Sequence, residues 1–270
     1  MIQTLRRNVS AYNALVTLVP KLYLVYQSVF WIQFLLQFVS MIVLVYFWRA
    51  VYLGQATLGG LNLRQTLNYM LLVQWILPLL DNGLILHFGD WLREGKLAIE
   101  LLRPLDFQSQ NFVREQTDMF FFLLQKLPLL IVAWLVFGLQ LPADPMRWVA
   151  FVVSMLLGKA ILFFFQWIFA CLAFYTTDVS GFYHALNAAA VFLSGALVPM
   201  AMMPGWLQRV AYSFPFAQAV SVPVSLLSGI IPLTDLPRIW LIQVVWLIGL
   251  AGVSRLVFRI AIRKVTFQGG

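Results

Sequence analysis

The sequence predicts an all-α integral membrane protein with six transmembrane helices. Of its 270 residues, 62% are hydrophobic and 10% are charged, and the mean hydropathy is +0.87. Soluble domains contain about 45–50% apolar and about 25% charged residues, so part of this surface must face lipid. The net charge of +8 does not point to nucleic acid, because Lys and Arg residues collect in segments that fix membrane orientation.

Six apolar runs are the candidate spans. A membrane-crossing helix needs about 20 apolar residues at a rise of ~1.5 Å each. Five runs have this length, and a sixth is shorter. They are Val29–Trp48, Leu67–His87, Met119–Gly138, Trp148–Phe174, the shorter His184–Val198, and Ile239–Phe258. No repeat or linker divides the chain, so residues 1–270 are interpreted as a single transmembrane domain.

The distribution of positive charge predicts the orientation. When the N-terminus is placed in the cytoplasm, most Lys and Arg residues outside the spans fall in cytoplasmic segments, as the positive-inside rule requires. The external segments then hold Arg49, Arg64, Arg147, Arg209 and Arg238. Both termini are therefore expected in the cytoplasm.

The segment before the first span has the pattern of an amphipathic helix. Leu5, Val9, Tyr12 and Val16 recur at spacings of four, three and four residues. Residues 1–27 are therefore predicted to form a helix that lies in the membrane interface. A short soluble helix packed on another subunit is the alternative.

Prolines interrupt the region before the last span. Residues 199–237 hold Pro199, Pro204, Pro215, Pro223, Pro232 and Pro237 and yet remain apolar. Because proline blocks a continuous helix, this region is predicted to be a broken, re-entrant segment on the outer side. An ordinary external loop with interfacial helices is the alternative.

The cytoplasmic loop over residues 88–118 carries the most informative motif. Gly95 allows a turn, Lys96–Leu102 can form two helical turns, and Pro104 stops them. This short helix is dense in both charge and leucine, which favours docking in a protein groove over lying on the membrane. Leu97 and Leu101 share a face at spacing four and are the expected apolar anchors.

This loop resembles that of type-two ATP-binding-cassette exporter permeases, in particular the six-span daunorubicin-type and viologen-type branch. The residues that carry the resemblance are Arg93, Gly95, Leu97, Leu101, Leu102, Arg103, Pro104 and Leu105. Elsewhere the resemblance is one of layout: chain length, six spans, an amphipathic N-terminal helix and a broken segment before the last span.

The resemblance implies a permease domain that moves substrate outward across a bacterial plasma membrane. A coupling helix would dock on a separate ATPase subunit, present in two copies, which holds ATP and Mg²⁺, so that no cofactor belongs to this chain. Two permeases, identical or paralogous, would pair, and their second and fifth spans would line the pathway. The implied coupling residues are Arg93, Glu94, Gly95, Lys96, Leu97, Glu100, Leu101, Leu102, Arg103 and Pro104.

The chain is not expected to be an enzyme by itself. A phosphate-binding loop needs a glycine five residues before Gly-Lys. Gly158-Lys159 has Val153 at that position and Gly95-Lys96 has Asp90. If ATP is bound at all, the sequence thus predicts that another chain binds it.

Polar residues within the spans are candidate pathway residues, because ionisable groups in a membrane are costly. Asp81 and Lys126 are predicted at similar depth on neighbouring spans, where they would form an ion pair that either cements two helices or lines the pathway. Lys159 lies deeper, without an obvious partner at its depth. The other candidates are Gln74, Asn82, Asn187 and Ser194.

Three functions follow from these features. The first is the permease of an exporter for an amphipathic or hydrophobic substrate. The second is a secondary transporter or channel without an ATPase, which would show paired broken helices in both halves. This sequence predicts a break in one half only. The third is a membrane scaffold that recruits a partner through residues 88–118.

Overall fold

The computed structural model describes residues 27–80, 83–102, 105–176 and 178–264. The interfacial helix predicted for residues 1–27 therefore lies outside the described residues, except for Gln27. Four of the predicted functional residues also lie outside them, namely Asp81, Asn82, Arg103 and Pro104.

The described chain is helical apart from one small hairpin, in which β1 (Thr57–Leu58) pairs antiparallel with β2 (Leu61–Asn62). The α-helices are α1 (Gln27–Val51), α2 (Leu63–Ile76), α3 (Leu84–Arg93), α4 (Lys96–Leu101), α5 (Phe107–Gln125), α6 (Leu127–Phe137), α7 (Pro145–Ala170), α8 (Ser180–Leu193), α9 (Gly205–Tyr212), α10 (Phe216–Ala219), α11 (Ser221–Ser228) and α12 (Leu236–Ala261). Short 3-10 helices lie at Leu77–Leu80, Cys171–Phe174, Met200–Met202, Leu233–Asp235 and Ile262–Lys264.

Four stretches of the described chain are long and apolar enough to cross a membrane. They are Trp31–Val51, Phe107–Phe137, Pro145–Phe174 and Leu233–Ala261. These coincide with the first, third, fourth and sixth predicted spans. Large apolar side chains point outward from them, such as Leu36 at 65% exposure and Ile248 at 67%. Lipid is the solvent that suits such a surface.

The second predicted span, Leu67–His87, is not a continuous helix. α2 ends at Ile76, a 3-10 turn follows, and α3 begins after Gly83, which has a left-handed φ of 65°. The cause is Pro78, which has no N–H to donate to the carbonyl four residues earlier. That carbonyl, on Gln74, instead accepts a hydrogen bond from Gln37 Nε2 at 2.6 Å. The expectation of a break in one half only is therefore wrong.

The fifth predicted span, His184–Val198, is also shorter than a crossing requires. α8 covers Ser180–Leu193, or 14 residues, and gives way to a turn at Gly195. Beyond it, residues 199–237 divide into α9, α10 and α11, with one 3-10 turn before them and one after them. All residues of Phe216–Ala219 and most of Ser221–Ser228 are buried, because both helices pack against α7.

The loop predicted over residues 88–118 is largely helical. α3 continues to Arg93, and α5 begins at Phe107, well before the predicted third span at Met119. The start of α5 is set by Asp106, whose side chain accepts a hydrogen bond from Ser109 N at 2.8 Å and so caps the helix.

α7 is the helix against which α3, α10, α11 and α12 pack. Gly158 permits a close approach of α10 to α7, because a Cβ placed there would lie 2.4 Å from the carbonyl oxygen of Gln218. A second cluster of buried side chains, built around Phe88 and Trp167, joins α3, α5, α7 and α12 at one end of the molecule. This aromatic cluster is the base on which α4 lies.

Candidate functional site

The loop between α3 and α5 reverses at one glycine. Gly95 has φ 68° and ψ 4°, a left-handed conformation that glycine adopts without a steric penalty. α3 therefore ends at Arg93 and α4 restarts at Lys96 in a new direction. α4 holds six residues, so it has one face toward the protein and one face away from it.

The inner face of α4 packs on the aromatic cluster. Leu97 is 3% exposed and shares this cluster with Phe88 and Phe107, while Leu101 is partly buried against it. The rings of Phe88 and Trp167 meet edge to face, with centroids 5.2 Å apart. These contacts hold α4 to the body of the protein.

The apolar anchors predicted for docking therefore need correction. Leu97 and Leu101 do share a face, as their spacing requires, but that face is turned toward the chain's own core. The apolar side chains that point away are Ile99, which is 64% exposed, and Leu102, which is 84% exposed. Spacing alone identifies the two faces of a helix and does not say which one a neighbouring aromatic cluster covers.

Charged groups surround this exposed apolar pair. Arg93 forms an ion pair with Asp90 at 2.5 Å, and Lys96 forms one with Glu94 at 2.5 Å. The Glu94 carboxylate raises the pKa of the Lys96 ammonium, which keeps it charged. Glu100 accepts a hydrogen bond from Gln110 Nε2 at 2.9 Å, which ties α4 to α5.

α5 is in turn fastened to α12. The guanidinium of Arg255 donates to both carboxylate oxygens of Asp106, at 2.5 and 2.7 Å, and to Ser109 Oγ at 3.0 Å. Gln108 Nε2 donates to Ser254 Oγ at 2.8 Å. Burial raises the pKa of the Asp106 carboxyl, but the hydrogen bonds from Arg255 and Ser109 outweigh burial and bring that pKa to about 2.

Sequence reasoning missed this connection between α5 and α12. Asp106 and Ser109 have the three-residue spacing of an N-cap and its partner, so the start of α5 could be predicted from the sequence. The contact with Arg255 was not, because 149 residues separate it from Asp106 and no local pattern links them.

Lys126 lies at the junction of α5 and α6 and is 3% exposed. Its Nζ donates to Gln37 Oε1 at 2.8 Å and lies 5.3 Å from the centroid of the Phe122 ring. Gln37 also holds the free carbonyl of Gln74, so one amide connects α1, α2 and the junction after α5. The predicted pair of Lys126 with Asp81 stays a prediction, because Asp81 lies outside the described residues.

Lys159 has a carboxylate partner, contrary to expectation. Its Nζ lies 3.4 Å from Glu115 Oε2, and the two side chains are 5% and 12% exposed. The sequence prediction placed Glu115 in a loop. Because α5 begins at Phe107, Glu115 is instead two turns into a helix and reaches the depth of Lys159 on α7.

Two candidate pathway residues, Asn187 and Ser194, lie in α8 and at its C-terminal end. Ser194 Oγ donates to the carbonyl of Val191 at 3.1 Å within its own helix end. Asn187 lines a narrow crevice with Gln166 of α7. Gln166 Nε2 donates to the carbonyl of Leu80 at 2.8 Å, so it supports the break that follows α2.

These features define a multi-pass helical membrane protein with a short loop helix held on a rigid base. A profile of the family described as ABC-2 family transporter protein matches residues 38–269. The chain therefore belongs to the ABC-2 transporter family, as a membrane component. Members of this family lack a nucleotide-binding domain, so a partner ATPase binds the nucleotide. Neither the comparison with curated proteins nor that with solved structures gives a match.

Proposed function

We propose that this chain is the permease subunit of an ATP-driven exporter of the daunorubicin/viologen type, which moves an amphipathic or hydrophobic substrate outward across a bacterial inner membrane. Two permeases, identical or paralogous, pair with two ATPase subunits that carry ATP and Mg²⁺. Both termini lie in the cytoplasm, as does α4. The excess of positive charge assigned to the α4 side supports this orientation.

The observation that carries the proposal is the exposed apolar pair on α4. Ile99 and Leu102 extend from a helix whose other face is fastened to the core, with charged residues on either side. Apolar residues ringed by charge are typical of the centre of a protein–protein interface. The occupant we assign to this surface is the ATPase subunit, whose presence follows from the family.

Hydrogen bonds and an ion pair connect α4, through α5, to α12. Glu100 connects α4 to Gln110 of α5, and Asp106 and Gln108 connect α5 to α12. A displacement of α4 by the ATPase is thereby passed to two spans at once. The ATPase cycle can bias the membrane helices only if such contacts differ between its states.

The break after α2 supports a pathway role for the second predicted span. Irregular backbone at membrane depth is tolerated where it is buried in protein or lines a water-filled cavity. Gln74 lies near the end of α2, and Lys126 and Asn187 lie on neighbouring elements. Asp81 and Asn82, which follow in the sequence, are proposed as pathway residues with them. Residues 199–237, packed on α7, are proposed to close the pathway on the outer side.

A secondary transporter is the second candidate function. Broken helices in both halves of the chain, after α2 and over residues 199–237, are typical of such transporters, whereas the sequence predicted a break in the second half only. Family membership, which implies an ATPase partner, decides against it.

The test is the double variant Ile99→Asp/Leu102→Asp in the intact complex. Truncating a buried interface anchor costs ~2 kcal/mol or more, so we expect ATPase co-purification to fall at least about 30-fold and transport to stop. Leu53→Asp is the matched control, since Leu53 is an apolar residue 79% exposed and distant in sequence from α4. Wild-type assembly and transport in the double variant would refute the assignment of α4.

A further inference from the structure

A cavity of about 550 Å³ opens where three helix ends meet. Its walls come from the C-terminal ends of α1 and α6 and the N-terminal turns of α2. α1 and α6 end the apolar stretches Trp31–Val51 and Phe107–Phe137, so the cavity lies at the ends of two helical stretches long enough to cross a membrane.

The mouth of this cavity is positively charged. Arg49 and Arg64 both line it, and within the described ranges neither has a carboxylate at ion-pair distance. Arg49 lies 5.7 Å from the ring centroid of Tyr46, which orients the guanidinium without neutralising it. The polar side chain beside them, Asn68, is already engaged with the backbone of Gln140 at 2.9 and 2.6 Å.

One wall of the cavity is apolar. Leu63, Leu67 and Leu71 follow one another at spacing four and form a stripe about 12 Å long on α2. Phe137 contributes to the opposite wall, and Leu71 at the inner end is 1% exposed. Among the described residues, the cavity thus joins two guanidinium groups without a carboxylate partner, at its mouth, to an apolar wall that leads inward.

We propose that this cavity binds a phospholipid with an anionic headgroup from the adjoining leaflet. The phosphate lies between Arg49 and Arg64, whose planar guanidinium groups match phosphate oxygens, and an acyl chain lies along the leucine stripe. A free phosphate ion would use the arginines and leave the apolar wall uncovered. The leucine stripe beside the arginines, at the ends of two apolar stretches long enough to cross a membrane, favours the lipid.

The experiment is native mass spectrometry of the intact complex in a neutral detergent, titrated with phosphatidylglycerol, phosphatidylcholine or inorganic phosphate. We expect phosphatidylglycerol to bind in preference to phosphatidylcholine and inorganic phosphate not to displace it. With two interfacial arginines involved, Arg49→Gln/Arg64→Gln should weaken the tightest phosphatidylglycerol site about 30-fold. Arg238→Gln, which removes an exposed arginine outside the cavity, should leave that site unchanged.

Leu67→Trp separates the two sources of phosphate. It fills the apolar channel and keeps both arginines, so it should weaken phosphatidylglycerol binding if the acyl chain enters the cavity. Displacement of the lipid by inorganic phosphate, together with unchanged lipid binding by Leu67→Trp, would indicate an ion site and overturn the proposal. Unchanged lipid binding by the double arginine variant would overturn it as well. Gel filtration of each variant with its ATPase establishes that the complex has assembled.

Discussion

Asp106 and Arg255 meet through two parallel hydrogen bonds, at 2.5 and 2.7 Å, although 149 residues separate them in the chain. Asp106 follows the loop of α4 and caps α5, while Arg255 lies near the end of α12. Bidentate pairs of this kind fix orientation as well as distance. The pair therefore sets the angle between α12 and α5.

Asp106→Asn should lower the free energy of unfolding by ~1 kcal/mol at neutral pH, a modest effect because the paired side chains are 39% and 47% exposed. Since the folded pKa of Asp106 is about 2 and its ordinary value is 3.8, the stabilisation is fully present above pH ~4 and is lost as the pH falls toward 2. Unfolding of wild type and variant in detergent at several pH values measures this difference. A difference that stays constant down to pH 2 would contradict the assignment.

The break after α2 could have been predicted from the sequence. Pro78 lies in the middle of the apolar run Leu67–His87, and the rule that proline removes a helix hydrogen bond was available. Length and hydropathy nevertheless predicted one span, because both measures ignore backbone donors. Four of the six predicted spans coincide with long apolar stretches. Three of these four runs contain no internal proline and so follow the length rule directly. The third predicted span contains Pro128, next to the point where α5 gives way to α6.

The position of the candidate site could be predicted from the sequence, but the face of α4 that points outward could not. Gly95 marks the reversal correctly, because its role is local. The burial of Leu97 depends on Phe88, Phe107 and Trp167, which come from three different helices. The partner of Lys159 was missed for a related reason. The predicted span boundary at Met119 leaves Glu115 in a loop. α5 in fact starts twelve residues before that boundary, which brings Glu115 into the helix bundle beside Lys159.

The pair of Lys159 and Glu115 predicts strongly non-additive mutations. Each side chain is almost fully buried, so Lys159→Met alone or Glu115→Gln alone should cost about 3–5 kcal/mol by removing one partner of a buried ion pair. The double variant should recover most of that loss. Unfolding midpoints of the three variants in detergent provide the measurement. Additive losses would mean that the two charges do not compensate each other.

The predicted ion pair of Asp81 and Lys126 can be tested by a similar double-mutant cycle, in which Gln37 is the competing partner of Lys126. Asp81→Asn and Lys126→Met should each reduce assembly or transport more than the double variant does. Gln37→Leu is the comparison, because the structure gives Lys126 a hydrogen bond to Gln37 Oε1. If Gln37→Leu reproduces the Lys126→Met defect and Asp81→Asn does not, the amide is the principal partner of Lys126.

Membrane orientation is testable with single cysteines in a Cys171→Ala background. Gln55 and Ala143 are exposed residues on the loops before α2 and before α7, and both should react with an impermeant maleimide from outside. A cysteine at Ile99 should react only after the membrane is permeabilised. Ser109 is unsuitable as a cytoplasmic marker because its hydroxyl accepts a hydrogen bond from Arg255. Labelling of Ala143 from the cytoplasm alone would reverse the proposed topology.

The last prediction separates docking of the ATPase from transmission of its movement. Gln110→Leu removes the hydrogen bond from Gln110 Nε2 to Glu100 while it leaves the outer face of α4 intact. We therefore expect normal co-purification of the ATPase and a several-fold loss of transport per ATP hydrolysed, because α4 moves less tightly with α5. Transport and ATP hydrolysis are measured together in reconstituted vesicles.

Gln116→Leu is the matched control for this variant. It makes the same substitution on the same helix, at an amide whose two polar atoms are buried and have no hydrogen-bond partner among the described residues. Removing an unsatisfied buried amide should be neutral or slightly stabilising. Equal losses of coupling in Gln110→Leu and Gln116→Leu would trace the defect to general packing of α5. Loss of the ATPase itself in Gln110→Leu would mean that Glu100 orients the docking surface, so that docking and transmission share one contact.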